Sequence, residues 1–503
     1  MSTTRLDPIA TTSAGRVRGI DRGDHAAFLG IPYAAPPVGV RRFAAPGPVP
    51  GWRGVRETTQ YGPTPQRRPF GETTTVPEPS IPGEDTLSVN VFTPAAGRTD
   101  AGLPVLVWVH GGGYFAGSPA SPWYDGAAFA RSGVVVVTLS YRLGFDGFGW
   151  IEDAPPNRGI LDQLRALEWV RENIASFGGD PDRVTIAGQS AGGGSVLTLM
   201  TSPRARGLFR AVISQSGAPG HLGAATAEEI GRRFAADRGV APTLAGWRGV
   251  PEDTVLDHER AFNHAPGGKD PGATPVEQLA AIGRDPLAAG LAFAPVVDGD
   301  TVVAVDEAIA AGVADDVALL LGTTRNEFAF PTPTPTDQIA AAFEAAHIDR
   351  DAAGDFFAEV ERVGAAYAGS QLAVLSMFRA PATQIARARS RQAAGRTWLY
   401  DFAYRSPVDG LAAHCYELPF CWDLLGADGV AAVLGAPPQT LADRMHTAWV
   451  EFITTGGLSW PATAQHPTGA LVFDEASGFR PDAYRFEAAA LEALVSEAVT
   501  RGA

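Results

Sequence analysis

Only two cysteines, Cys415 and Cys421, and a single lysine, Lys269, occur in the 503 residues. Two cysteines six apart cannot frame a disulfide-stapled fold, and they suit a reducing compartment. A Walker loop needs Gly-Lys-Ser/Thr, and Lys269 is followed by Asp270; an S-x-x-K nucleophile needs serine at 266, which is Pro266. Both classes drop out. Positive charge is scarce as well: 40 Lys+Arg against 55 Asp+Glu leave a formal net charge of −15, which argues against nucleic acid or an anionic membrane surface as partner. No run approaches the ~18 apolar residues of a membrane helix, and the opening stretch MSTTRLDPIATTSAGRVRGI has no apolar segment of signal-peptide length. The expectation is a cytoplasmic protein. His258-Glu259 begins a zinc-binding H-E-x-x-H that fails at Phe262, so no metal site is read there.

With 45% hydrophobic and 19% charged residues the composition is that of a globular chain able to bury a large core. LPVLVWVHGGGYF contains a buried strand, Val105 to Val109, ahead of three glycines, and SGVVVVTLSYRLG contains another, Val134 to Ser140. Between Arg158 and Phe177 apolar residues recur at helical spacing, and RAVISQSG, DVALLLGTTRNE and RTWLYDFAYRS supply further short strands. Strands alternating with helices imply an α/β fold, a mainly parallel sheet covered on both faces, with its site at the strand C-terminal ends. The chain reads as a single domain over residues 1–503 with helical insertions at roughly 222–290 and 338–390, and the proline-rich stretches at 62–82 and 331–335 read as surface loops.

Against this background VTIAGQSAGGGSV stands out. Gly188-Gln189-Ser190-Ala191-Gly192 fits G-x-S-x-G, which 58 glycines produce by chance roughly 0.3 times in a chain this long. Its context carries more: Val184 to Ala187 reads as a buried strand and Ala191 to Met200 as a helix, the strand-turn-helix that holds a nucleophile at a sharp tip. A serine hydroxyl needs a base, and the base a carboxylate. His414 follows the alternating strand Trp398 to Tyr404, and Glu327 lies beyond the buried strand Val317 to Leu321, so both are candidates, with surface polar residues as the alternative. His110-Gly111-Gly112-Gly113, directly after a strand, offers bare backbone N–H groups to an oxyanion.

FLGIPYAAPPVGVRRF, WRGVRETTQYGP, GEDTLSVNVFTP, VWVHGGGYFAGS, NRGILDQLRALEWVRENIASFGGDPDRVTIAGQSAGG, SQSGAP, GTTRNEF and AAHCYELPF occur in one order. In these blocks the chain resembles the type-B carboxylesterase family of α/β-hydrolases, which includes cholinesterases and bacterial p-nitrobenzyl esterases. The resemblance implies an α/β-hydrolase fold and a cofactor-independent serine carboxylesterase acting on a small-molecule ester and water. It implies Ser190 as nucleophile, Glu327 as acid, His414 as base, and the N–H groups of Gly112, Gly113 and Ala191 as oxyanion hole. Ser216 falls where the family keeps a hydroxyl near acid and base, and Arg42 and Glu84 match a structural ion pair. The chain departs from the family at Thr86 and Pro65-Gln66, where the N-terminal disulfide is absent, at Gln189, commonly Glu, and at Phe328, commonly Gly. The same machinery on carbamates or aryl amides, and a non-catalytic binding protein of this fold, are the other readings.

Overall fold

The computed structural model describes residues 7–263, 291–392 and 396–491. The later part of the insertion expected at 222–290, with His264 and Lys269 in it, lies outside these residues. The strands are β1 (Ile9–Thr11), β2 (Arg16–Arg18), β3 (Ile20–Asp21), β4 (Ala26–Pro32), β5 (Val55–Glu57), β6 (Ser88–Thr93) and β7 (Leu103–Val109). They continue with β8 (Val135–Leu139), β9 (Gly179–Gln189), β10 (Ala211–Gln215), β11 (Ala318–Thr324), β12 (Thr397–Phe402), β13 (Ala470–Phe473) and β14 (Gly478–Arg480). An 11-stranded sheet runs in the order β14-β13-β12-β11-β10-β9-β7-β8-β6-β4-β3, and β1, β2 and β5 form a small separate sheet. Every pairing from β8 through β7, β9, β10, β11 and β12 to β13 is parallel. The antiparallel pairings sit at the two ends.

The apolar runs of the central strands follow from burial on both faces. Side chains alternate across a strand, so Val105, Val107 and Val109 enter one core cluster with Val135, Val137 and Ile186, while Leu106 and Trp108 enter another with Val136, Ala187 and Leu320. A third, smaller cluster lies among the insertion helices, around Ile339, Phe343, Phe356 and Phe486. The helices Ala224–Arg238, Leu244–Arg248 and Glu252–Asn263 follow β10. Those from Thr336–Ala345 to Ala380–Gln392, with a π-helical turn at Leu375–Arg379, fall between β11 and β12. No helix among the described residues is long and apolar enough to cross a membrane.

Five expectations change. β9 begins at Gly179, well before Val184, and β11 runs on to Thr324. β12 stops at Phe402, because the N–H groups of Ala403 and Tyr404 both turn to one carbonyl, that of Phe473, and the ladder ends. Arg42 does not pair with Glu84: its Nε donates to Asp146 Oδ2 at 3.0 Å and its Nη1 to the Val250 carbonyl at 2.6 Å, while Glu84 is exposed. The loop 62–82 is anchored, not merely superficial. Buried Arg67 donates to the Gly117 carbonyl at 2.7 Å and to that of Glu78 at 2.7 Å, and Phe70 stacks on Phe115 at 5.2 Å.

The strand order places the site. After β7 the chain adds β8 on one side and then crosses back to lay β9 on the other. The carboxyl ends of β7 and β9 therefore flank a point where successive connections diverge, the usual position of a binding crevice in such sheets. The glycine loop leaves β7 there, and Ser190 leaves β9.

Candidate active site

Ser190 sits between β9 and the helix Ala191–Thr201 with φ of 58°, a left-handed conformation that a side-chain-bearing residue rarely holds. Its N–H donates to the Gln215 carbonyl of β10 at 2.9 Å, and its own carbonyl accepts from Gly194 N at 2.9 Å. The turn is tight enough that a Cβ on Gly192 would come within 2.1 Å of the Val109 carbonyl oxygen, so only glycine lets the helix start against the end of β7. Across this contact lies the glycine loop. Gly112 has φ of 114° and Gly113 of 60°, and a Cβ on Gly111 would lie 3.0 Å from Ser190 Cβ. Neither Gly112 nor Gly113 N–H donates to another backbone carbonyl among the described residues. Ala191 opens its helix, so its N–H is one of the donors that a helix leaves without an internal acceptor. His110 stiffens the loop: its ring stacks on Tyr141 at 4.6 Å, and burial pushes its pKa down to about 4, keeping it neutral.

Glu327 and His414 are brought together by their backbones. Asn326 N–H donates to the Ala412 carbonyl at 3.0 Å, and Asn326 Oδ1 accepts from Ala412 N at 2.9 Å. His414 N then donates to the Glu327 carbonyl at 3.0 Å, making a one-residue parallel bridge between Glu327 and Ala413. Glu327, 1% exposed, accepts from Thr324 N through Oε1 at 3.0 Å and from His414 Nδ1 through Oε2. With Nδ1–H committed to the carboxylate, His414 Nε2 carries the lone pair.

That lone pair is occupied by Gln189. Its Nε2 lies 3.0 Å from His414 Nε2 and donates to it, and Ser190 Oγ makes no hydrogen bond among the described residues. Phe328, 37% exposed, lies over the His414 ring at 4.2 Å, and Phe378 of the π-helical turn lies at 5.3 Å. Ser216 is fully buried with φ of 45°, and its N–H donates to the Gly322 carbonyl at 2.8 Å. Its hydroxyl has no partner, so it bonds neither Glu327 nor His414.

Sequence reasoning passed over three residues here. Asn326 and Phe378 carry no motif of their own. Glu417 stood inside AAHCYELPF with no role assigned. It is fully buried, takes a hydrogen bond from Gln215 Nε2 at 3.2 Å through Oε1, and leaves Oε2 unpartnered. Gln215 is also held by Trp449 Nε1 at 3.0 Å, so Glu417 and Trp449 together brace the residue whose carbonyl anchors Ser190. Burial, with the Glu327 charge behind it, pushes Glu417 up to about 8. Cys415 and Cys421 are both free and buried, and burial raises both thiols.

Known proteins resemble this chain along nearly its whole length. The profile described as "Carboxylesterase family" matches residues 6–477. The para-nitrobenzyl esterase of Bacillus subtilis (strain 168) is 35% identical over 487 residues, covering 93% of this chain and 94% of that protein. The phenmedipham hydrolase of Pseudarthrobacter oxydans is 32% identical over 527 residues, covering 95% of this chain and 97% of that one. A solved p-nitrobenzyl esterase structure superposes with a TM-score of 0.78 at 31% identity, over 96% of this chain and 99% of its own. The fold is thus that of the α/β-hydrolases.

Two measurements follow from the geometry. A carboxylate in place of the Gln189 amide would lie against His414 Nε2 and favour a proton on it, which a general base must shed to act. Gln189→Glu is therefore expected to move the acid limb of kcat/KM to higher pH by about one unit for a neutral ester, with the wild type showing little preference for choline esters over neutral esters of matched size. An unmoved or lowered limb, or a strong choline preference, contradicts this. Glu417 bears on stability. The unfolded chain releases its proton near 4.5 and the native chain holds it to about 8, so the native state is best favoured below about 4.5 and loses stability as pH rises toward 8. Glu417→Gln removes that dependence. Its thermal midpoint should exceed the wild type's by about 2 °C or more at pH 8.5, with the gap closing at pH 5; a gap equal at both pH values would show that Glu417 does not titrate as argued.

Proposed function

Because the chain belongs to the carboxylesterase family and is a carboxylic ester hydrolase, we propose that Ser190, His414 and Glu327 carry its reaction through an acyl-enzyme. The observation that carries this reading is the buried Glu327 Oε2 to His414 Nδ1 hydrogen bond, beside a serine held at a left-handed turn. Ser190 Oγ attacks the ester carbonyl carbon while its proton passes to His414 Nε2. The carbonyl oxygen gains charge against the N–H groups of Gly112, Gly113 and Ala191, and Glu327 holds the imidazolium. Collapse breaks the bond to the alcohol, which leaves with the proton from Nε2. Water, deprotonated by the same nitrogen, attacks the acyl carbon, and the carboxylic acid departs with Ser190 restored.

The amide of Gln189 must release Nε2 before Ser190 can use it. A neutral hydrogen bond of this kind contributes only about 1 kcal/mol net, so substrate entering between the glycine loop and His414 can displace it. Ser216, with a bare buried hydroxyl behind β11, supports the acid strand through its backbone in this reading. Phe328 lies over the His414 ring, and Phe115, beside Gly113, stacks on Phe70 of the loop 62–82. We place the enzyme in the cytoplasm, since its two cysteines are free, and describe it as one domain with helical insertions. Carbamates and aryl amides present the same carbonyl geometry and belong in the substrate panel.

Ser190→Ala should abolish turnover of p-nitrophenyl esters and labelling by a serine-reactive phosphonate, with the circular-dichroism spectrum unchanged; a labelled peptide that maps to another serine would overturn the assignment. Glu327→Gln should lower kcat by about 10³-fold or more with little change in KM, because the acid acts on the imidazolium formed in the transition state. An effect confined to KM would assign Glu327 to substrate binding instead.

A further inference from the structure

Behind the acid strand, on the far side of Asn326 from His414, a cavity of about 200 Å³ opens between the insertion helices and the turn after β14. An engineered cavity of about 150 Å³ holds a benzene molecule, so this one has room for a ring or short alkyl chain with a polar head. Its inner wall contains Arg325, Arg379 and Gln371, and its sides Phe356, Leu375 and Phe486.

The polarity of the missing partner can be deduced. Ala412 N–H needs an acceptor and takes Asn326 Oδ1 at 2.9 Å, which fixes the orientation of that amide. Asn326 Nδ2 must then point the other way, where it donates to Glu359 Oε1 at 2.8 Å and to Gln371 Oε1 at 3.4 Å. This in turn fixes Gln371, whose Nε2 is left as a donor. Gln371 is 5% exposed and that nitrogen has no partner. A buried donor without an acceptor costs about as much as a lost hydrogen bond.

Two guanidinium nitrogens of the lining, not sealed as Gln371 Nε2 is, also lack a protein acceptor among the described residues. Arg325 spends Nε and Nη2 on Asp401, and Arg379 spends Nε on Glu487 at 2.5 Å and Nη1 on Asp401 at 2.9 Å and Thr323 at 3.2 Å. Arg325 Nη1 and Arg379 Nη2 take no acceptor among the described residues. The carboxylates around the cavity are already engaged: Glu487 by Arg379, Glu359 by Arg362 and Arg405, Asp355 by Arg485. Asp482 stands at the exposed rim. What remains unsatisfied inside is donors.

We propose that this cavity binds a small organic carboxylate, its head group taken by Gln371 Nε2, Arg325 Nη1 and Arg379 Nη2 and its apolar body by Phe356, Leu375 and Phe486. Arginine forks and an amide N–H suit the planar two-oxygen head, and the aromatic sides suit a benzoate-sized body. The site is distinct from the crevice at Ser190.

Benzoate and butyrate can be titrated into the phosphonate-labelled enzyme, in which the Ser190 crevice is blocked, and followed by saturation-transfer NMR or calorimetry. Saturable binding is expected, weakened about tenfold or more in Gln371→Leu, which loses the donor, and in Gln371→Glu, which adds a repelling charge. Both variants should label with phosphonate at the wild-type rate, which reports an intact fold; if the leucine substitution disturbs the fold, Gln371→Met replaces it. Absence of saturable binding at tens of millimolar, binding indifferent to Gln371, or displacement of the carboxylates by equimolar chloride would each overturn the proposal. Should no serine be labelled, the catalytic reading fails on its own, and the Gln371 dependence in unlabelled enzyme still decides this one.

Discussion

The backbone-to-backbone contact between Gly192 and the end of β7 is the constraint on which the candidate site depends. The helix after Ser190 begins so close to the Val109 carbonyl that no side chain fits between them. That approach brings three otherwise separate things to one place: a serine at a strained turn, the first free N–H groups of a helix, and the glycine loop from the neighbouring strand. Each is local in sequence terms and none is informative alone. Their convergence comes from the crossing of the chain over β7, which makes β7 and β9 adjacent parallel strands.

A second constraint aligns Glu327 with His414. Glu327 and His414 are separated by the insertion helices and all of β12, and their carboxylate–imidazole bond is short of support from side chains alone. Asn326 supplies that support by satisfying both polar groups of the Ala412 residue, so that the loop after β11 and the loop after β12 run as a brief extra rung of the sheet. The geometry of Glu327 is therefore an extension of sheet register. This also explains why the surroundings of Asn326, including Glu359 and Gln371, are polar and buried in an insertion that elsewhere packs phenylalanine against phenylalanine.

Neutral groups lie around the candidate site. Gln189 stands where relatives commonly carry a carboxylate, His110 is kept uncharged by burial, and Glu417 is held protonated well above the ordinary carboxylate range. With Phe328 and Phe378 over the imidazole, the only ionised group directly bonded to His414 among the described residues is Glu327. In the proposed mechanism such surroundings give the imidazolium of His414 one strong counter-charge and little competition from others.

Much of this was legible in the sequence, because strand burial and turn chemistry are local. Continuous apolar runs marked β7, β8 and β11, small residues on both sides of Ser190 marked the elbow, and three glycines after a strand marked the loop. The serine, histidine and glutamate emerged as candidates from chain order and strand ends. The resemblance to a family sharpened them. What could not be read was every relation that depends on which loops meet: Arg42 choosing Asp146 over Glu84, the Gln189 amide seated on His414 Nε2, the bare hydroxyl of Ser216, the clamp at Asn326 and the buried acid Glu417. The sequence by itself determined the elements and the chemistry each can offer, since propensity and periodicity act over a few residues. Only the tertiary structure decided the partners, because a hydrogen bond or an ion pair between residues hundreds of positions apart is selected by sheet register and burial, and neither leaves a local mark.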